Sequence, residues 1–165
     1  MSAIDEFLAN NRAFADGFAH ANLPTPPSKR LAIVTCMDLR MDLFAMLGLG
    51  IGQAHVIRNA GGVATDDVIR SLMLSQRLLG TREVMVIQHT RCGAQSFTEE
   101  EMKDAIERDT GVRPPFALEA FSDLDESVRR AIARVDASPF IVHEDCVRGF
   151  VYDVETGRLR EVKPA

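Results

Sequence analysis

The sequence predicts an α/β fold: a mostly parallel central β-sheet flanked by helices, with an antiparallel strand at its C-terminal end. Three observations carry this expectation. Short apolar runs at residues 31–35 and 84–87 read as strands buried on both faces, and residues 54–57 read as a further strand. Segments of helical apolar spacing separate these runs, and such alternation is the pattern of a parallel sheet. Two clusters of chemically capable side chains directly follow two of the runs. That is where open α/β sheets hold their ligands, beyond the carboxyl ends of the strands.

Each element follows from local sequence. Ile4, Phe7, Leu8, Phe14 and Phe18 fall at roughly helical spacing, so residues 4–18 form an amphipathic helix. Pro24, Pro26 and Pro27 then impose an extended connector. Residues 1–28 thus make a helix and connector able to pack on their own domain or on a partner subunit. After the strand at 31–35, residues 41–47 form a short helix. The strand at 54–57 ends in Arg58-Asn59-Ala60-Gly61-Gly62. Thr65 or Asp66 caps a helix that runs to Leu79, and Gly80 ends it. The strand at 84–87 delivers His89. Thr98 and Glu101 have capping-box spacing for a helix through about residue 108. Pro114 and Pro115 break the chain again, and residues 124–135 form a helix followed by a strand at 140–142. Residues 149–154 form a strand, and residues 155–159 turn into a last one. No repeat or low-complexity segment interrupts the pattern, so residues 1–165 form one domain.

Composition removes several function classes. The chain has 165 residues, 46% hydrophobic and 26% charged, enough for one domain with a substantial core. Its formal net charge is −5 and no block of Lys or Arg stands out, which argues against nucleic acid or an anionic membrane as partner. No apolar run approaches the roughly 18 residues of a bilayer span, and residues 1–11 do not read as a signal peptide. A cytoplasmic, reducing location is expected. Three cysteines cannot all pair, so ligation or burial explains them better than disulfides. Cys146 has no second ligand at a familiar spacing and reads as a small buried hydrophobe.

Cys36 opens Cys36-Met37-Asp38-Leu39-Arg40, and His89 opens His89-Thr90-Arg91-Cys92-Gly93. On neighbouring parallel strands these clusters converge. Two thiolates and one neutral imidazole form a zinc set with one tetrahedral corner open, as catalytic sites keep it. Asp38 can orient a metal-bound water, and Arg40 can hold Asp38 ionised through charge-assisted hydrogen bonds. If that clamp fails, Asp38 can swing onto the metal as a fourth ligand. Arg58 suits either an anion near the site or a carboxylate partner. Gly61-Gly62 lacks the dinucleotide and P-loop patterns and fits a tight turn with close backbone approach. His20, His55 and His143 are candidate proton shuttles, though structural or solvent-facing roles suit each better. Zinc deaminases need a Glu two residues after a ligand His, where Arg91 stands, and zincins need His-Glu-x-x-His; both are excluded.

Together, Cys36-x-Asp38-x-Arg40, Arg58-Asn59-Ala60-Gly61 and His89-x-x-Cys92-Gly93 resemble the β-class carbonic anhydrases. Residues 71–81 resemble their short bacterial and archaeal subgroup, which includes mycobacterial-type enzymes. The resemblance runs from about Lys29 to the strand at 149–153. It implies Zn²⁺ on Cys36, His89 and Cys92, with Asp38 and Arg40 as a dyad and Asp38 as fourth ligand in a closed form. It implies reversible hydration of carbon dioxide to bicarbonate by zinc-bound hydroxide. It also implies a homodimer or dimer of dimers, with the N-terminal helix packed on the partner subunit. The sequence departs from the family pattern at Arg91, where an acidic residue is usual, and at Ala94, where Met is usual. Hydrolysis of carbonyl sulfide or carbon disulfide on the same site is the alternative activity. A zinc-stabilised regulatory protein without catalysis is the alternative of another class.

Overall fold

The structure, a computed structural model, describes residues 2–143 and 146–164. Its helices are α1 (Ala3–Asp16), α2 (Leu43–Leu47), α3 (Asp66–Leu79), α4 (Glu99–Thr110) and α5 (Leu124–Asp136). Its strands are β1 (Leu31–Cys36), β2 (Ala54–Asn59), β3 (Glu83–His89), β4 (Val147–Tyr152) and β5 (Leu159–Val162). They form one sheet in the order β2-β1-β3-β4-β5, parallel except for the β4–β5 pair. The chain places β2 on one side of β1 and β3 on the other. The carboxyl ends of β1 and β3 therefore meet at a topological switch point, the place where such sheets open a crevice.

The caps explain where the helices start and stop. Thr65 caps α3 by accepting from Val68 N, and Gly80 ends it in the left-handed conformation at φ 71°. Thr98 and Glu101 form the expected capping box on α4.

Two layers cover the sheet. On one face, Val68 and Leu72 of α3 and Ala131 and Val135 of α5 pack on Ala32, Val34, Val84 and Val86. On the other, Met41, Leu43 and Phe121 pack on Ile33 and Ile87. Side chains alternate along β3, so His89 shares a face with Ile87 while Gln88 faces the α3–α5 layer. Gly149 lets α5 approach β4 closely: a Cβ there would lie 2.4 Å from Val128 Cγ1.

Two sequence expectations are overturned. Residues 140–142 are not a strand. Val147–Tyr152 takes the place beside β3, and the backbone of 140–143 is bonded largely by side chains, with Ile141 N donating to the Ser138 carbonyl. Gln76 Oε1 accepts from Val142 N and His143 N, and Arg77 Nε donates to the Phe140 carbonyl. Ile141 still buries itself against the α3–α5 layer, so its apolar character served packing rather than a ladder. Cys146 is exposed rather than buried, because it lies in the turn that enters β4.

Candidate metal centre

β1 ends on Cys36 and β3 ends on His89, side by side, and a turn three residues beyond His89 brings in Cys92. The two sulfurs lie 4.0 Å apart. They and a ring nitrogen of His89 all lie within 4.8 Å of one another, and all three residues are buried. Two sulfurs each about 2.3 Å from one tetrahedral zinc would be separated by about 3.8 Å, so the observed spacing fits such an ion.

The imidazole is poised for the same role. His89 Nδ1 lies 2.9 Å from the Thr90 carbonyl, which fixes the proton on Nδ1. Nε2 is then an acceptor, and it is buried with no hydrogen-bond partner. A buried polar atom without a partner is costly unless something occupies the space it faces. Without a metal the two thiols act as one acid: their shared hydrogen bond pulls Cys36 below the usual thiol range and pushes Cys92 above it. Two anionic sulfurs side by side would repel, and a divalent cation removes that conflict.

Asp38 stands at the rim. Arg40 grips it three times: its backbone N–H and Nε donate to Oδ1 at 2.9 Å, and its Nη2 donates to Oδ2 at 2.6 Å. This grip holds the Asp38 carboxyl well below the usual carboxylate range. Asp38 Oδ2 lies 3.7 Å from His89 Nε2, so the carboxylate faces the centre without belonging to the close trio.

Among the described residues Arg58 bonds to two backbone carbonyls and to no carboxylate. Its Nε donates to the Cys36 carbonyl and its guanidinium NH2 group to the Asp38 carbonyl, both at 2.8 Å, which ties down the turn between them. Asn59 does the same for the next turn, exchanging bonds with Val63 N and Val63 O. Gly62 explains the glycine pair: its φ is 64°, and a Cβ would lie 2.8 Å from Cys36 N. These supporting roles have no residue-type signature beyond a basic or amide side chain at a strand end. His55 is half-buried and bonded through Nδ1 to Ser75 Oγ at 2.7 Å, a structural role, while His20 packs its ring edge on Phe18.

Residues 31–159 match the sequence model of the carbonic anhydrase family. The chain is 52% identical over 164 residues to Beta-carbonic anhydrase 1 of Mycobacterium tuberculosis, covering 99% of this chain and all of that relative. This chain belongs to the β-class carbonic anhydrases. Its fold superposes with a TM-score of 0.92 and 48% identity on the carbonic anhydrase of Streptococcus mutans, covering 99% of each chain. A carbon disulfide hydrolase of Acidithiobacillus thiooxidans is a more distant relative, 35% identical over 156 residues, covering 82% of this chain and 78% of that one. Within this β-carbonic anhydrase, the buried trio of Cys36, His89 and Cys92 is a group that could hold a metal ion. No helix among the described residues is long and apolar enough to cross a membrane.

Proposed function

We propose that this protein catalyses the reversible hydration of carbon dioxide to bicarbonate and a proton. Cys36, His89 and Cys92 hold zinc, and Asp38 with Arg40 orients the reacting water. The observation that carries this reading is the meeting of two sulfurs and an unpartnered imidazole nitrogen beside an arginine-clamped carboxylate. A zinc ion in that cradle would supply the Lewis acidity that makes a water molecule nucleophilic near neutral pH.

The residues supply the rest. A carboxylate offers about four acceptor positions, and Arg40 occupies three of those on Asp38. The position left open is on Oδ2, the oxygen that faces His89. It accepts a hydrogen from the reacting water and so directs the lone pair of that water at the carbon of carbon dioxide. Because Arg40 keeps Asp38 ionised, the acceptor is available across the neutral range. Val63, Met41 and Phe121 pack around the cysteines and limit solvent access from the protein side. Bicarbonate departs, and the proton released in the cycle passes to buffer. Loosening the clamp would free Asp38 to become a fourth ligand, which is an off state.

The same groups suit the linear molecules carbonyl sulfide and carbon disulfide. Identity of 52% to the mycobacterial carbonic anhydrase, against 35% to the carbon disulfide hydrolase, favours carbon dioxide. Stopped-flow hydration of carbon dioxide across pH, with zinc quantified and the two sulfur substrates assayed on the same preparation, tests the reading. Zinc at one ion per chain and rapid hydration are expected. A zinc-replete protein inert toward carbon dioxide at every pH would refute it and leave the regulatory reading.

The working unit we propose is a cytoplasmic homodimer or dimer of dimers. Helix α1 buries none of its residues, and Phe7 and Phe14 remain 65% and 57% exposed. An apolar stripe on a helix needs a partner, and a second copy of this chain is the one proposed. Three cysteines outside any disulfide suit a reducing compartment.

A further inference from the structure

We infer that the left-handed backbone of Arg91 is a positioning device: it aims the Arg91 carbonyl at the Arg40 guanidinium and so sets the clamp on Asp38. The inference rests on the roles proposed above for Asp38 and Arg40. Arg91 lies in the turn between His89 and Cys92, and its φ is 56°, a region that side-chain-bearing residues rarely adopt.

The turn is held in that conformation from the far side. Thr90 N donates to the Tyr152 carbonyl at 2.9 Å, and Val154 N donates to Thr90 Oγ1 at 3.1 Å. The Arg91 side chain reaches the same region and pairs with Glu155 at 2.7 Å. The turn after β4 thus fixes Thr90, the residue that leads into Arg91, and the Arg91 carbonyl accepts from Arg40.

Arg40 Nη2 donates to Asp38 Oδ2 at 2.6 Å and to the Arg91 carbonyl at 2.9 Å. Each guanidinium NH2 group carries two hydrogens, so this one is fully used. With Nε on Asp38 Oδ1, one whole edge of the guanidinium is pinned. If the carbonyl turned away, one N–H would return to water and the long Arg40 side chain would be held by Asp38 alone. The clamp would then be two flexible partners gripping each other rather than a carboxylate held from a fixed wall. The Arg91–Glu155 pair is exposed on both sides, 65% and 60%, and such pairs contribute little. The backbone of Arg91 therefore matters to Arg40 more than its charge does.

The test compares zinc-loaded Arg91→Val, Arg91→Gly and Glu155→Ala with the parent. It measures kcat and KM for carbon dioxide hydration, zinc content, and NMR of the arginine Nε–H groups in zinc-loaded and metal-free protein. Valine is β-branched and resists the left-handed region. It should lower kcat about tenfold, the order expected for loss of one charge-assisted hydrogen bond, with KM and zinc content little changed. The Arg40 Nε–H signal should lose its protection from exchange. Arg91→Gly adopts the same φ freely and should restore both kcat and that signal. Glu155→Ala should stay within about twofold of the parent. Arg91→Thr, also β-branched, replaces Arg91→Val should the latter not fold. Parental kcat and a protected Arg40 signal in the β-branched variant would overturn the inference, as would a glycine variant impaired equally. A parent inert toward carbon dioxide would count against the proposed function, while the NMR comparison would still decide the brace.

Discussion

Cys92 reaches the centre from a turn rather than a strand, and it supplies one of the two sulfurs of the close trio. Cys92→Ala is therefore expected to abolish zinc retention, as metal analysis after gel filtration would show. Asp38 is different, because it lies at the rim with Oδ2 3.7 Å from His89 Nε2. Asp38→Ala is expected to keep zinc at the parental level and to lower kcat about 100-fold, within the range for loss of a group that handles a proton. Normal turnover in that variant would remove the dyad from the mechanism. The chemical identity of these residues was legible from type and spacing alone. Arg58 was not, because a guanidinium reads the same in sequence whether it meets an anion, a carboxylate or two backbone carbonyls.

At the level of elements, the turn after β2 and the first turn of α5 give measurable consequences. Gly62 combines φ 64° with a backbone contact to Cys36 that a methyl group would bring to 2.8 Å. Neither side of that contact is a side chain able to rotate away. Gly62→Ala is expected to destabilise the fold by about 2 kcal/mol or more and to weaken zinc retention, read by urea unfolding and metal analysis. In the first turn of α5, Asp125 accepts two bonds from Arg160 of β5, at 3.0 and 2.6 Å. This pairing holds the Asp125 carboxyl below the ordinary aspartate value of 3.8. In the window between the two values the unfolded chain binds more protons, so stability rises with pH there. The contribution is fully present above pH 3.8 and is lost as pH falls through the lower, folded value. The stability gap between parent and Asp125→Asn, about 1 kcal/mol or less for so exposed a pair, is expected to close in that acid range. A gap that widened on acidification would contradict the pairing. Helix caps were readable at this scale because Thr65, Gly80 and the Thr98–Glu101 box act within one turn. Residues 140–142 misled because an apolar triplet buries itself equally well as a strand or as an irregular plug.

At the scale of the whole molecule, the stripe on α1 is left without a partner among the described residues. Ile4, Phe7, Leu8 and Phe14 on the helix, and Phe18 just beyond its end, are all exposed. With a second copy covering the stripe, a charge at its centre should prevent association. Phe7→Asp combined with Phe14→Asp is expected to shift the protein from dimer to monomer in sedimentation velocity, with the far-ultraviolet circular dichroism preserved. A parent already monomeric at micromolar concentration would refute the proposed assembly.

By itself the sequence determined the secondary-structure alternation, the parallel sheet and the residue types of the candidate centre. Each of these follows from apolar periodicity, local capping or the donor chemistry of Cys, His and Asp, which act over a few residues. Only the tertiary structure decided that β1 and β3 lie side by side, that two sulfurs stand 4.0 Å apart, and that the Arg91 carbonyl meets Arg40. Those distances depend on strand order and on how a turn is held by residues about 60 positions away, as Thr90 is by Val154. No local pattern encodes such contacts, because backbone groups are the same at every position and only packing chooses which of them meet.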